Sequence, residues 1–167
     1  MYNLTKILAF LLLNVSSVAF AASSDSLAKK VEAEAKRVGC KKPVFKASVE
    51  GKIQDQKSDT LVFYCDEFSP DRKGLEKGAL VVVGAENQCP KFIPEERADS
   101  LLLTDEFEVR RFTYGDMWPV GRSGAYKGPG AKEIIKGKII RVCNLEECGV
   151  ANSYVCKDKQ WLMLSQD

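Results

Sequence analysis

The side chains with the greatest potential for chemistry lie in the glycine-rich segment of residues 115–130. It holds Trp118 and Tyr126 beside Arg122 and Lys127. Aromatic rings next to cationic groups bind sugars, bases or a partner's side chains through stacking and charge-assisted hydrogen bonds. Five glycines and two prolines in sixteen residues exclude a helix or a central strand here. The segment is predicted to be either a binding loop or a compact flap whose rings fold inward.

Charge is distributed unevenly along the chain. The totals nearly cancel, with 25 Lys and Arg against 23 Asp and Glu. Residues 110–141 nevertheless carry eight cations against two acids, whereas residues 86–108 carry seven acids against Lys91 and Arg97. The two blocks either pair with each other or leave a basic, aromatic face for an anionic partner. The predicted binding residues are Trp118, Arg122, Tyr126, Lys127, Arg110 and Tyr114.

The chain contains no histidine, which excludes a Ser-His-Asp triad, a Cys-His dyad and histidine-ligated zinc or haem. We therefore expect a non-catalytic protein without a cofactor. The alternative is a small hydrolase of envelope glycans that works with a pair of carboxylates. Its nearest candidate residues are Asp105, Glu106, Glu108 and Asp116.

The first 21 residues match a secretory signal. One lysine precedes the apolar run of residues 7–13, and Ala19-Phe20-Ala21 supplies the small residues that a cleavage site requires. Polar residues interrupt the run before it reaches the length of a membrane span, so we expect cleavage and no remaining transmembrane segment. The predicted location is the periplasm, or alternatively the exterior of the cell.

Six cysteines follow the predicted signal: Cys40, Cys65, Cys89, Cys143, Cys148 and Cys156. An even count in an exported chain predicts disulfides, because oxidising compartments preserve them. Zinc and redox sites are disfavoured, since no pair has the Cys-x-x-Cys spacing. Three bridges are expected, and the short spacing favours Cys143 with Cys148.

Residue periodicity predicts the elements that position these side chains. Apolar residues at helical spacing predict a helix over residues 26–38 that ends at Gly39. Alternation from Val44 places Phe45, Ala47, Val49 and Ile53 on one face of a strand, which forms a hairpin with residues 60–65. Residues 80–83 have the composition of a buried strand. Pro94 and the acids after it predict a short helix to about residue 103.

Four further segments are predicted to be strands. Residues 107–113 alternate in hydrophobicity, residues 134–143 are rich in β-branched side chains, and residues 154–156 and 161–164 flank a tight turn. The expected fold is mainly β: an N-terminal helix and linker at residues 22–43, then one β-rich domain at residues 44–167. That domain is predicted to be a small antiparallel barrel or sandwich held by disulfides.

These features together predict an exported binding protein of the cell envelope that uses residues 115–130. The expected partner is an envelope protein or an anionic envelope glycan, and no nucleic acid is expected.

Overall fold

The fold was obtained as a computed structural model. It describes residues 24–54, 56–84, 88–105, 111–144, 148 and 151–166. The predicted signal peptide lies outside the described residues, and so do most of the predicted strand 107–113 and the side chains of Glu106, Glu108 and Arg110. No helix within the described ranges is long and apolar enough to cross a membrane.

The predicted N-terminal helix is confirmed. Helix α1 occupies residues 24–38 and buries Val31, Ala35 and Val38, which lie three or four residues apart on one face. Gly39 follows it with a φ of +76°, a left-handed conformation that glycine adopts at little cost and that commonly ends helices. The helix thus presents a narrow apolar stripe to the domain.

The first sheet has four antiparallel strands in the order β1-β2-β3-β4. They are β1 (Cys40–Gly51), β2 (Thr60–Phe68), β3 (Ala79–Val83) and β4 (Phe92–Pro94). Alternate residues of β2 face opposite sides, with Leu61 and Phe63 in the cluster under α1 and Val62 and Tyr64 in the central core. Both faces are buried along residues 61–65 of β2 and along most of β3, and these stretches consist of apolar and aromatic residues and Cys65. The predicted hairpin and the predicted buried strand are confirmed.

The prediction that Phe45 shares one strand face with Ala47, Val49 and Ile53 is wrong. Phe45 is 48% exposed, whereas Ala47 and Ile53 are buried as expected. The register between β1 and β2 shifts between Val44 and Ser48, and the Ser48 hydroxyl donates to Phe45 O at 2.6 Å. This bulge breaks the two-residue alternation and turns Phe45 to solvent.

The second sheet has five antiparallel strands in the order β5-β7-β8-β9-β6. They are β5 (Ser100–Thr104), β6 (Trp118–Pro119), β7 (Ile139–Cys143), β8 (Ala151–Lys157) and β9 (Gln160–Gln166). The β8–β9 hairpin confirms the prediction, and its turn residues Asp158 and Lys159 have φ values of 49° and 61°, as in tight hairpin turns. Strand β7 begins later than predicted, since Gly137 and Lys138 precede it outside the strand.

The helix predicted after Pro94 is wrong. Pro94 ends β4, and β5 begins at Ser100. Leu101 is buried while Leu102 is 48% exposed, an alternation typical of a strand. Glu95 is not a solvated acid at a helix start, because its carboxylate accepts a hydrogen bond from the hydroxyl of Tyr154 in β8. Tertiary partners therefore override the local helix signal.

The two sheets pack face to face around a shared core. Val62 and Leu80 of the first sheet join Ile140, Tyr154 and Trp161 of the second in one buried cluster. The described strands form two separate sheets and no closed one, which makes the fold a sandwich rather than a barrel. The predicted mainly β fold with an N-terminal helix is confirmed.

All three predicted disulfides form. Cys40 pairs with Cys65 between β1 and β2, and Cys143 pairs with Cys148 after β7, as the spacing favoured. Cys89 pairs with Cys156 and so ties the segment before β4 to β8 of the opposite sheet. Three disulfides fit a protein that resides outside the reducing cytoplasm.

Candidate functional site

Residues 111–138, which connect β5 to β7 and are called the flap below, cover the outer face of the second sheet. Three flap residues pack with three strand residues in a second apolar cluster: Met117, Tyr126, Ile135, Ile139, Val155 and Leu162. The strand members alternate with residues that face the central core, so β7, β8 and β9 are apolar on both faces. The glycine-rich segment is therefore a packed layer with its own small core.

Tyr126 folds into this layer. It is 4% exposed, and its hydroxyl donates a hydrogen bond to the carboxylate of Asp158 in the β8–β9 turn. Burial, and then this hydrogen bond, raise the pKa of Tyr126 to about 12. The Tyr126 ring is thus folded inward, as in a compact flap, and its hydroxyl attaches the flap to the β8–β9 turn.

Trp118 points outward. It is 52% exposed and lies on β6, a two-residue strand at the edge of the second sheet. Its backbone partner is Met163 of β9. Trp118 and Tyr126 thus differ in exposure, one on the surface and one in the interior, although the sequence places them in one loop.

The cations of the predicted site are free where the structure describes them. Arg122 and Lys127 are exposed and form no ion pair with any described residue. Arg110 lies outside the described residues. The carboxylates of the flap are occupied, since Asp116 accepts from the Thr113 backbone N–H at 2.7 Å and Glu133 pairs with Lys157 at 2.9 Å.

Tyr114 lines a cleft of 530 Å³ on the flap, together with Lys132, Glu133, Ile134 and Lys136. The ammonium of Lys157 lies 4.6 Å from the centre of the Tyr114 ring, a cation–π contact. The hydrogen bond to Glu133 raises the pKa of Lys157. Lys132 and Lys136 are exposed and form no ion pair with any described residue, so the rim of the cleft carries two uncompensated positive charges.

Ile134 was not among the predicted site residues. It is 44% exposed and lies beside Thr113 in an isolated bridge, although the sequence placed it inside a strand. The sequence signal for it is a pair of adjacent isoleucines between charged residues, because two neighbouring residues of an extended segment face opposite sides. Ile135 is fully buried, so its neighbour Ile134 has to face outward between the two lysines.

Of the four carboxylates predicted for hydrolysis, two lie within the described residues. Asp105 is exposed and Asp116 is held by Thr113, while Glu106 and Glu108 lie outside the described residues. Within the ranges that the structure describes, no group of three His, Cys, Asp or Glu side chains could hold a metal ion.

Comparisons with protein-family models, with curated proteins and with solved structures gave no match to this chain.

Proposed function

We propose that this chain is an exported, non-catalytic binding protein of the bacterial periplasm, and that its flap binds an acidic partner. Export is supported by the signal-like residues 1–21 and by three disulfides, which oxidising compartments preserve. The proposed partner surface is the Tyr114 cleft with its two lysines.

The observation that carries this proposal is the uncompensated charge around the cleft. Lys132 and Lys136 line it without an ion-pair partner among the described residues, and Glu133 between them forms an ion pair with Lys157. Free cations beside an aromatic ring attract and orient an anionic partner, and this attraction raises the rate of association.

An acidic protein fits this surface better than a glycan does. Ile134 stands exposed between the lysines in the same cleft. A branched aliphatic side chain offers a sugar no hydrogen bond, whereas a protein can bury it in an apolar pocket. The flap also packs on the second sheet through its own apolar cluster, and a surface that is ordered before binding loses less entropy when its partner binds.

The charge component is tested by retention on immobilised heparin as a polyanion probe. We expect the wild type to be retained at low salt and released at moderate salt. The double variant Lys132→Glu/Lys136→Glu should elute much earlier. The control Lys46→Glu/Lys73→Glu changes the net charge equally at exposed positions outside the flap and should elute later than the flap variant. Equal elution of the two double variants would contradict the proposal.

The class of partner is tested with Ile134→Ser. This change should reduce the recovery of a partner protein from envelope extract, because an apolar anchor commonly contributes more than about 1 kcal/mol to an interface. It should leave retention on heparin unchanged. A loss of binding to purified envelope glycan in the lysine variant, with no captured protein affected by Ile134→Ser, would identify a glycan as the partner instead.

The carboxylate hydrolase remains the alternative predicted from sequence, and no feature of the described residues favours it over binding.

A further inference from the structure

A second cleft, of 480 Å³, opens between the two sheets, away from the flap cleft. One wall is formed by the turn before β3 and by residues that follow β4, including Glu95 and Glu96. The other wall is formed by Asn152, Tyr154 and Met163 of the second sheet. None of these residues was predicted to belong to a site.

Glu95 is a buried acid in this cleft, with only 9% of its surface exposed. Its Oε2 atom accepts hydrogen bonds from the Tyr154 hydroxyl and from Asn152 Nδ2, the latter at 3.2 Å. Burial, and then the charge of Glu95, raise the pKa of Tyr154 far above its ordinary value. Tyr154 therefore keeps its proton and serves as a donor to the carboxylate.

No positive charge compensates Glu95 within the described residues. Its two hydrogen-bond donors are neutral, and it forms no ion pair there. The lysine of the cleft, Lys77, is bound to Glu96 Oε1 at 2.6 Å. A buried carboxylate without a counter-charge is costly in free energy, and a cation that enters the cleft offsets this cost.

The cleft also has an apolar, aromatic side. In the second sheet Tyr154 pairs with Met163, and Met163 pairs with Trp118. Paired residues of antiparallel strands project from the same face, and neighbouring strands lie about 4.8 Å apart. Tyr154, Met163 and Trp118 therefore form a row across β8, β9 and β6. The row begins at Tyr154, which donates to Glu95, and reaches the exposed Trp118 about 10 Å away.

From this arrangement we infer that the inter-sheet cleft binds a primary alkylammonium group, with the ammonium at Glu95 and the hydrocarbon chain along Met163 toward Trp118. A carboxylate supplies the counter-charge, and a thioether and an indole ring supply contacts for methylene groups. A polyamine and a lysine side chain share this chemistry. The inference is independent of the anionic partner proposed for the flap.

Calorimetric titration with cadaverine, a diamine with a five-carbon chain, tests the inference. We expect saturable binding by the intact protein, and about tenfold or more weakening in Glu95→Gln, which keeps the shape of the side chain but removes the charge. The control Glu67→Gln removes the same charge from an exposed position on β2 and should bind like the wild type. Pentanediol, which has the same chain without the charges, should not bind.

One further variant and one pair of peptide probes complete the test. Trp118→Ala changes an exposed residue that pairs with Met163 of the cleft wall. It therefore tests the aromatic contact beyond Met163 even if Glu95→Gln unfolds, and it should weaken cadaverine binding several-fold. A peptide with one lysine, compared with the same peptide carrying norleucine, distinguishes a lysine side chain from a free diamine as the preferred source. Absence of saturable binding of both cadaverine and the lysine peptide would overturn the inference. So would unchanged affinity in Trp118→Ala together with unchanged affinity in folded Glu95→Gln.

Discussion

The side chain of Gln54 pairs with the backbone of Cys156 in both directions. Gln54 Nε2 donates to Cys156 O at 3.0 Å, and the Cys156 N–H donates to Gln54 Oε1 at 3.0 Å. The Gln54 backbone N–H also donates to Lys138 O at 2.5 Å. Because Gln54 follows β1 and Cys156 lies in β8, one side-chain amide joins the two sheets as a strand residue would.

Replacing this amide should therefore destabilise the sandwich. Gln54→Ala leaves a partly buried N–H and C=O of Cys156 without their partners, and we expect the free energy of unfolding in urea to fall by about 1–3 kcal/mol. Gln88→Ala removes the same side chain at an exposed position and should change stability little. Equal effects of the two substitutions would show that the Gln54 pair does not hold the sheets together.

The disulfides should differ in their contribution to stability. Cys89 and Cys156 are 67 residues apart, whereas Cys143 and Cys148 are separated by 5. The longer loop loses more entropy in the unfolded chain when it is closed, so Cys89→Ala/Cys156→Ala should cost about 2 kcal/mol more than Cys143→Ala/Cys148→Ala. Urea unfolding of both double variants measures the difference. A larger loss from the short loop would contradict this account.

Two glycines separate backbone strain from steric contact. Gly137 and Gly121 have φ values of +73° and +75°. Replacing either glycine by alanine should lower the free energy of unfolding by about 1 kcal/mol, because alanine is strained in this conformation. At Gly137 the new Cβ would also lie 2.5 Å from Gln54 O, whereas Gly121 faces open space. Thermal unfolding should therefore show a clearly larger loss for Gly137→Ala. Equal unfolding temperatures of the two variants would show that the backbone at Gln54 shifts to accommodate the new Cβ without a loss of stability.

Alkaline pH should weaken the fold through Tyr126. Its folded pKa of about 12 lies above the ordinary value of 10.0, so between these values the unfolded chain releases a proton that the folded chain retains. Stability is fully present below pH 10 and is lost as the pH rises toward 12. Tyr126→Phe should make this alkaline loss less steep, and it should lower stability at neutral pH by about 1 kcal/mol through the lost hydrogen bond.

The measurement is urea unfolding at a series of alkaline pH values, followed alongside tyrosinate absorbance. Asp158→Asn provides the matched variant, since it keeps an acceptor for the hydroxyl and removes the negative charge. It should lower the pKa of Tyr126. The same alkaline slope in Tyr126→Phe as in the wild type would assign the effect to other tyrosines, such as Tyr64, whose pKa burial raises to about 12.

The glycine-rich composition of residues 115–130 predicts a loop or flap but not the arrangement of its side chains. Trp118 and Tyr126 were equivalent in the sequence, yet one is half exposed and the other pairs with Asp158. The β-branched residues that follow Ile134 predict a strand that includes it, whereas β7 begins at Ile139. Ile135 packs against the sheet, so its neighbour Ile134 faces solvent and becomes part of the surface of the flap.

The burial of Glu95 is likewise not predictable from its local sequence. Beside Pro94 and Glu96 it matched the start of a helix, and its local sequence carries no sign of burial. Its environment is set by Tyr154 and Asn152, which lie 59 and 57 residues away in the chain. Only the packing of one sheet on the other brings them together.

The sequence alone determined helix α1, the β1–β2 and β8–β9 hairpins, the number of disulfides and the mainly β character. These features depend on short-range rules: the spacing of apolar residues, the conformations that turn residues allow, and an even cysteine count in a chain with a signal-like start. The tertiary structure decided that the strands form an open sandwich, that Cys89 pairs with Cys156, that Phe45 and Trp118 face outward, and that Glu95 is buried. Each of these depends on which face of an element a distant segment covers, and the periodicity within one segment does not specify its partner.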